Sequence, residues 1–136
     1  MSSELTRILY LEDDPHIAEV GQMALIDFGG LEVLHCLSGF EALRKFEEYK
    51  PDLLLFDVML PEMDGVQTLA EIRKLEDAGS ETPVIFMTAK AQKHEQKHYT
   101  DLGALDVVVK PFDALTLADT LRETYANSVA EQGDAA

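Results

Sequence analysis

Leu53-Leu54-Leu55-Phe56-Asp57, led in by Pro51-Asp52 and followed by Val58-Met59-Leu60-Pro61-Glu62-Met63-Asp64-Gly65, decides the fold. Four apolar residues run unbroken and stop at an acid. A run this short, with no polar residue alternating in it, suits a strand buried on both faces of a parallel sheet. Working outward, four more short runs have the same character: Ile8–Leu11, Leu31–Leu37, Val84–Met87 and Leu105–Val109. Between them the apolar residues return at helical spacing. Ile17, Val20, Ala24 and Phe28 can share a face. So can Phe40, Leu43 and Phe46; Leu69, Ile72 and Leu75; and Leu117, Leu121 and Tyr125. Asp14 before Pro15 reads as a cap followed by a first-turn proline. Ser38, Asp64 and Asp113 are further candidate caps, and Gly29 and Gly103 fit the left-handed position that ends a helix. Strands alternating with helices predict an α/β, doubly wound (βα)5 fold: a five-stranded parallel sheet in the order 2-1-3-4-5, covered by helices on both faces.

The 136 residues, 46% of them hydrophobic, suffice for one domain. Residues 1–125 are expected to form it, with 126–136 a flexible tail whose Ser128–Ala136 end is small and polar. The formal net charge of -15 repels phosphates, which argues against direct nucleic-acid or anionic-membrane binding. Cys36 is the sole cysteine, so no internal disulfide is possible, and its apolar setting predicts a buried, inert thiol. No basic segment leads an apolar run at the N-terminus, and no stretch approaches the ~20 apolar residues of a membrane span. A soluble, cytoplasmic protein is expected, with a natural-looking start and polar tail that favour a complete chain.

The polar residues cluster where strands end. Glu12, Asp13 and Asp14 follow the first strand; Asp57 ends the third, Thr88 the fourth and Lys110 the fifth. The second strand carries no comparable group. In an open α/β sheet ligands bind beyond the carboxyl ends of the strands, where strand order reverses. In the order 2-1-3-4-5 the four strands with polar ends are those that can meet at one site. Carboxylates about 4 Å apart repel by roughly 4 kcal/mol per pair at an effective dielectric near 20. A hard, oxygen-seeking cation such as Mg²⁺ relieves that repulsion and leaves room for phosphate oxygens. Lys110 adds positive charge and Thr88 a hydroxyl donor, the parts that phosphoryl transfer to a carboxylate requires. Taken singly, an acid, Thr or Lys at a strand end is more often a cap or loop residue; their coincidence carries the reading.

At these residues the chain resembles the response-regulator receiver family, CheY-like and of flavodoxin-like fold, over about residues 6 to 125. The segments are Ile8-Leu9-Tyr10-Leu11-Glu12-Asp13-Asp14, Pro51 through Gly65, Pro83-Val84-Ile85-Phe86-Met87-Thr88-Ala89, and Gly103-Ala104 through Lys110-Pro111-Phe112. The resemblance implies a stand-alone receiver in a two-component phosphorelay. Asp57 would be the phosphoacceptor. Asp13 would ligate Mg²⁺ directly, Glu12 through a water, and Met59 through its backbone carbonyl. Thr88 would bond the phosphoryl group and Lys110 would pair with one of its oxygens, with a cis Lys110-Pro111 bond. The donor would be a sensor histidine kinase or a histidine phosphotransfer protein, and the output a protein target read through the fourth helix, fifth strand and fifth helix. One departure stands out: many relatives carry an aromatic ring three residues before the lysine, and here that position is Val107. The usual Thr-to-aromatic readout is thereby in doubt, and shifts around Ala89–Ala91 are an alternative. Lys90 matches a position that influences phosphoryl lifetime.

Other functions fit the residues less well. A haloacid-dehalogenase-type phosphatase needs an acid two residues after the nucleophile, where Met59 stands. A degenerate receiver acting as a scaffold would not need the full set Glu12, Asp13, Asp57, Thr88 and Lys110. An FMN binder needs a phosphate loop after the first strand, which is missing. His94-Glu95-Gln96-Lys97-His98 spells the zinc-protease motif H-E-x-x-H, but the segment from Gln92 to His98 has no apolar residue to back a protease helix, and Glu123 as third ligand lacks a cleft. The expectation there is a polar, weakly anchored helix able to bind stray transition metal. His16 and His35 carry no legible role.

Overall fold

In the computed structural model, which describes residues 4–77, 79–89 and 92–135, Leu53–Asp57 is the middle strand (β3) of a five-stranded sheet. The others are β1 (Arg7–Leu11), β2 (Glu32–Cys36), β4 (Val84–Thr88) and β5 (Asp106–Val109). Their order is β2-β1-β3-β4-β5 and all four pairings are parallel, as the sequence predicts. Every residue of β3 and β4 is buried. Alternation along the strands divides the core in two. Ile8, Tyr10, Leu53, Leu55, Ile85 and Met87 face α1 (Pro15–Gln22) and α5 (Leu117–Ala135). Leu9, Leu11, Leu54, Phe56, Val84 and Phe86 face α2 (Gly39–Tyr49) and α3 (Gly65–Leu75). Each such side chain contributes about 1.5–3 kcal/mol of burial, so the central strands are the stable frame of the site.

The caps follow their chemistry. Asp14 Oδ1 accepts from the backbone N–H of His16 (2.9 Å) and Ile17 (3.2 Å). Ser38 Oγ accepts from Glu41 N–H, and Glu41 reaches back to Leu37 N–H at 2.8 Å, a bond that lowers the Glu41 pKa. Asp64 and Gln67 bond each other's backbone reciprocally at 2.8 and 3.0 Å, fixing the start of α3. Asp113 instead caps the turn that leads into α5, accepting from Leu115 N–H at 2.8 Å.

Several expectations are corrected. β2 is one residue shorter at each end than Leu31–Leu37. The buried face after β1 is Ala18, Gly21, Ala24 and Leu25, while Val20 and Phe28 are exposed. The small residues win this face because the large Tyr10 ring occupies the sheet below them; a Cβ on Gly21 would lie 2.4 Å from its hydroxyl. The helix also changes to π geometry over Met23–Phe28, adding a residue to its last turns. That moves the left-handed residue from Gly29 (φ -93) to Gly30 (φ 69), whereas Gly103 is left-handed as expected (φ 101). Phe40 and Leu75 lie at the exposed edges of their helices. Residues 126–135, expected as a tail, are helical within α5.

Gly65 ties the fold to the site. A Cβ there would sit 2.3 Å from the carbonyl oxygen of Asp57, a backbone atom that cannot step aside. Gly65→Ala is expected to lower the unfolding free energy by about 2 kcal/mol, the range of overpacking. Urea denaturation at matched pH measures it; a loss under ~0.5 kcal/mol would show that α3 does not start this close to Asp57.

Candidate functional site

The sheet order brings the ends of β1 and β3 side by side, and with them the acids. Glu12, Asp13 and Asp57 each offer a carboxylate oxygen, all within 4.8 Å of one another. Glu12 and Asp57 are buried and Asp13 is exposed. Lys110, just past β5, reaches across the strand ends. Its Nζ donates to Glu12 Oε1 at 2.9 Å and to Asp57 Oδ2 at 3.0 Å. Backbone bonds hold each arm. Lys110 N–H donates to Thr88 O at 2.8 Å, Val58 N–H to Met87 O at 3.0 Å, and Met59 N–H to Asp57 Oδ1 at 3.1 Å. Thr88 ends β4 and is 1% exposed. Met59 is 64% exposed, and the group it directs at Asp57 is its backbone N–H. The Lys110-Pro111 bond is cis.

Burial drives the electrostatics. Loss of hydration pushes the Glu12 carboxyl up to about 7; the hydrogen bond from Lys110 works against this, and the charge of Asp57 adds to it. Burial opposes the Lys110 charge too, but its bonds to Glu12 and Asp57 outweigh burial and raise its pKa. Tyr10 lies beneath the acids with no exposed surface, and burial, then Glu12 and Asp57, push its hydroxyl well up. Three carboxylates against one ammonium leave an excess of negative charge. The donors are all hard oxygens, and the side at Asp13 is open to water. That set fits a divalent cation of the Mg²⁺ kind, which keeps part of its water shell.

The structure thus brings together Glu12, Asp13, Asp57 and Lys110, with Thr88 and Met59 at the adjoining strand end and loop. His35, unassigned from sequence, has a role here. Its Nε2 lies 2.8 Å from the carbonyl oxygen of Glu12, so the ring donates from that nitrogen and holds the backbone that carries two of the acids. Parallel register places it beside Tyr10, an arrangement invisible until the strands pair. His94 and His98 lie exposed on α4 (Lys93–Asp101), which has no buried residue. Among the described residues the acids are the one group of three or more metal-ligating side chains, so the H-E-x-x-H pair gains no third ligand. Lys90 and Ala91 lie outside the described residues. At Lys110 is an open, mainly apolar recess of about 600 Å³, lined also by His16, Ile17 and Val20 of α1 and by Ala89, Pro111 and Phe112.

Residues 8–122 match the response regulator receiver domain. The transcriptional regulatory protein DltR of Streptococcus agalactiae is 40% identical over 116 residues, covering 85% of this chain and 50% of DltR. CseB of Streptomyces coelicolor is 37% identical over 120 residues, 88% of this chain and 49% of CseB. The chain spans about half the length of these relatives. Among solved structures, the Vibrio cholerae chemotaxis protein CheY4 superposes with a TM-score of 0.78 at 28% identity, over 88% of this chain and 98% of that one. A CheY-like receiver domain protein from Methanospirillum hungatei gives 0.78 at 29%, over 93% and 98%.

The charge imbalance has a measurable sign. In chelator, Asp57→Asn is expected to raise the unfolding free energy by about 1–2 kcal/mol, because a repelling charge is removed. Lys110→Met is expected to lower it by about 3 kcal/mol, because two buried acids lose their partner. Millimolar Mg²⁺ should raise the wild-type midpoint and leave Asp57→Asn nearly unchanged. A wild-type midpoint indifferent to Mg²⁺ would refute the cation site.

Proposed function

The chain belongs to the response regulator receiver family of two-component systems, and on that premise we propose that Asp57 accepts a phosphoryl group from a phosphohistidine. The observation that carries this is the bridge from Lys110 Nζ to both Glu12 and Asp57 beside a third carboxylate. It pairs a carboxylate nucleophile with a fixed positive charge inside an oxygen cage. Glu12, Asp13, Asp57 and the Met59 carbonyl would hold Mg²⁺. When bound, the ion supplies positive charge to the phosphoryl oxygens.

In the transfer, a carboxylate oxygen of Asp57 forms a bond to phosphorus as the P–N bond of the donor breaks and the imidazole leaves. Lys110 then turns its ammonium toward a phosphoryl oxygen, and the Thr88 hydroxyl donates to another. In the return step water attacks phosphorus, the P–O bond to Asp57 breaks, and inorganic phosphate leaves. Both steps need only positioning and charge, which these side chains supply. The role is that of a signalling phosphoacceptor, with transfer and loss of the group catalysed by the same site.

The donor is a sensor histidine kinase or a histidine phosphotransfer protein. The apolar recess beside Lys110, open toward α1, supports docking of such a protein close to Asp57. The added charge of about -1.5 to -2 favours whichever conformation binds it better, and a downstream protein reads that shift. DltR and CseB are named as transcriptional regulators, with the match covering half of each. For this chain, at a net charge of -15, protein contact rather than nucleic-acid contact is proposed. Residues 1–125 are proposed as the receiver unit, with 126–136 outside its chemistry. Among the described residues no helix is long and apolar enough to cross a membrane.

Intact mass after incubation with acetyl phosphate tests the reading. Wild type with Mg²⁺ should gain about 80 Da, one phosphoryl group, in a labile form. Asp57→Asn, or wild type in chelator, should gain nothing. An adduct that survives Asp57→Asn would place the acceptor elsewhere.

A further inference from the structure

α4 is held to the rest of the molecule in an unusual way. Its sequence from Lys93 to Asp101 contains one apolar side chain, Tyr99. That ring packs on the core beneath α4, its centroid 5.4 Å from Phe86 and tilted by 54°. Phe86 is fully buried on β4, two residues before Thr88 and therefore on the same face of the strand. Its register partner on β5 is Val107, so no ring from β5 lies beside it. The aromatic cover over this end of β4 comes from α4.

The ring of Tyr99 is partly buried on this core. Burial raises its pKa, and the charges of Glu95 and Asp64 add to that. Asp64 is the cap of α3, and Gly65 beside it is packed against the Asp57 carbonyl. One side chain therefore joins α4 to the strand that ends in Thr88.

We propose that Tyr99 is a positioning residue that couples occupancy of the Asp57 pocket to the seating of α4, a role the resemblance would give to a ring at position 107. The proposal rests on the phosphoacceptor reading. When Thr88 moves toward a bound phosphoryl group, the packing beside Phe86 changes, and the Tyr99 ring follows it. Because the ring is the sole apolar anchor of α4, the helix follows the ring. The coupling is reciprocal: whatever the pocket does to Tyr99, Tyr99 does to the affinity of the pocket.

The test uses beryllium fluoride with Mg²⁺ as the phosphoryl mimic. The chain has four tyrosines, so 3-fluorotyrosine labelling gives a simple ¹⁹F spectrum in which Tyr99→Phe identifies the Tyr99 line. That line is expected to move on saturation with the mimic. Tyr99→Ala is expected to weaken mimic binding about five-fold or more, the scale of an ordinary coupling, while acetyl phosphate still labels Asp57. Tyr99→Phe should restore wild-type affinity, since the ring is kept. Tyr99→Leu serves if the alanine variant does not fold, and should lose coupling in the same way. A Tyr99 line that stays still, or unchanged affinity in Tyr99→Ala or Tyr99→Leu, overturns the proposal while the phosphoacceptor reading stands. Failure of wild type to take up either mimic or phosphoryl group overturns both.

Discussion

Three carboxylates gathered at the ends of two adjacent strands are the constraint on which the rest of this molecule depends. Lys110 meets two of them at 2.9 and 3.0 Å, and it reaches them from beyond the last strand of the sheet. That reach exists because β3 and β4 intervene with fully buried side chains that bring β5 to the right height. Burial sharpens the interaction: away from water the charges are felt more strongly, and Glu12 is pushed toward neutrality even with Lys110 bonded to it. The central strands offset this local instability with their apolar contacts. The result is a site of concentrated charge supported by fully buried central strands.

Much of this was legible in the chain. Leu53–Phe56 and Val84–Met87 are apolar without alternation, and only a strand covered on both faces accepts that pattern. Once five such strands are placed, the order of the sheet fixes which ends meet, so Glu12, Asp13, Asp57, Thr88 and Lys110 could be named together. Caps were legible for the same reason, since Asp14, Ser38 and Asp64 act within three residues of themselves.

What escaped the sequence depends on contacts between distant segments. Ile17, Val20 and Phe28 have the right spacing for a buried face, yet the Tyr10 ring under α1 admits only Ala18 and Gly21 there. The π geometry over Met23–Phe28 leaves no mark in residue type, and it alone moves the left-handed position to Gly30. His35 gains its partner only when β2 lies beside β1. Tyr99 meets Phe86 only when α4 lies over β4.

A helix fixed through a single ring can come away without taking the core with it. The free energy of such a local opening is set by the few contacts it breaks, far below that of global unfolding. α4 has no buried residue, in contrast to α2, α3 and α5, each of which buries several side chains against the sheet. This lightly buried helix lies one strand end away from the cluster of acids. Rearrangement of α4 breaks few buried contacts with the strands that hold the acids.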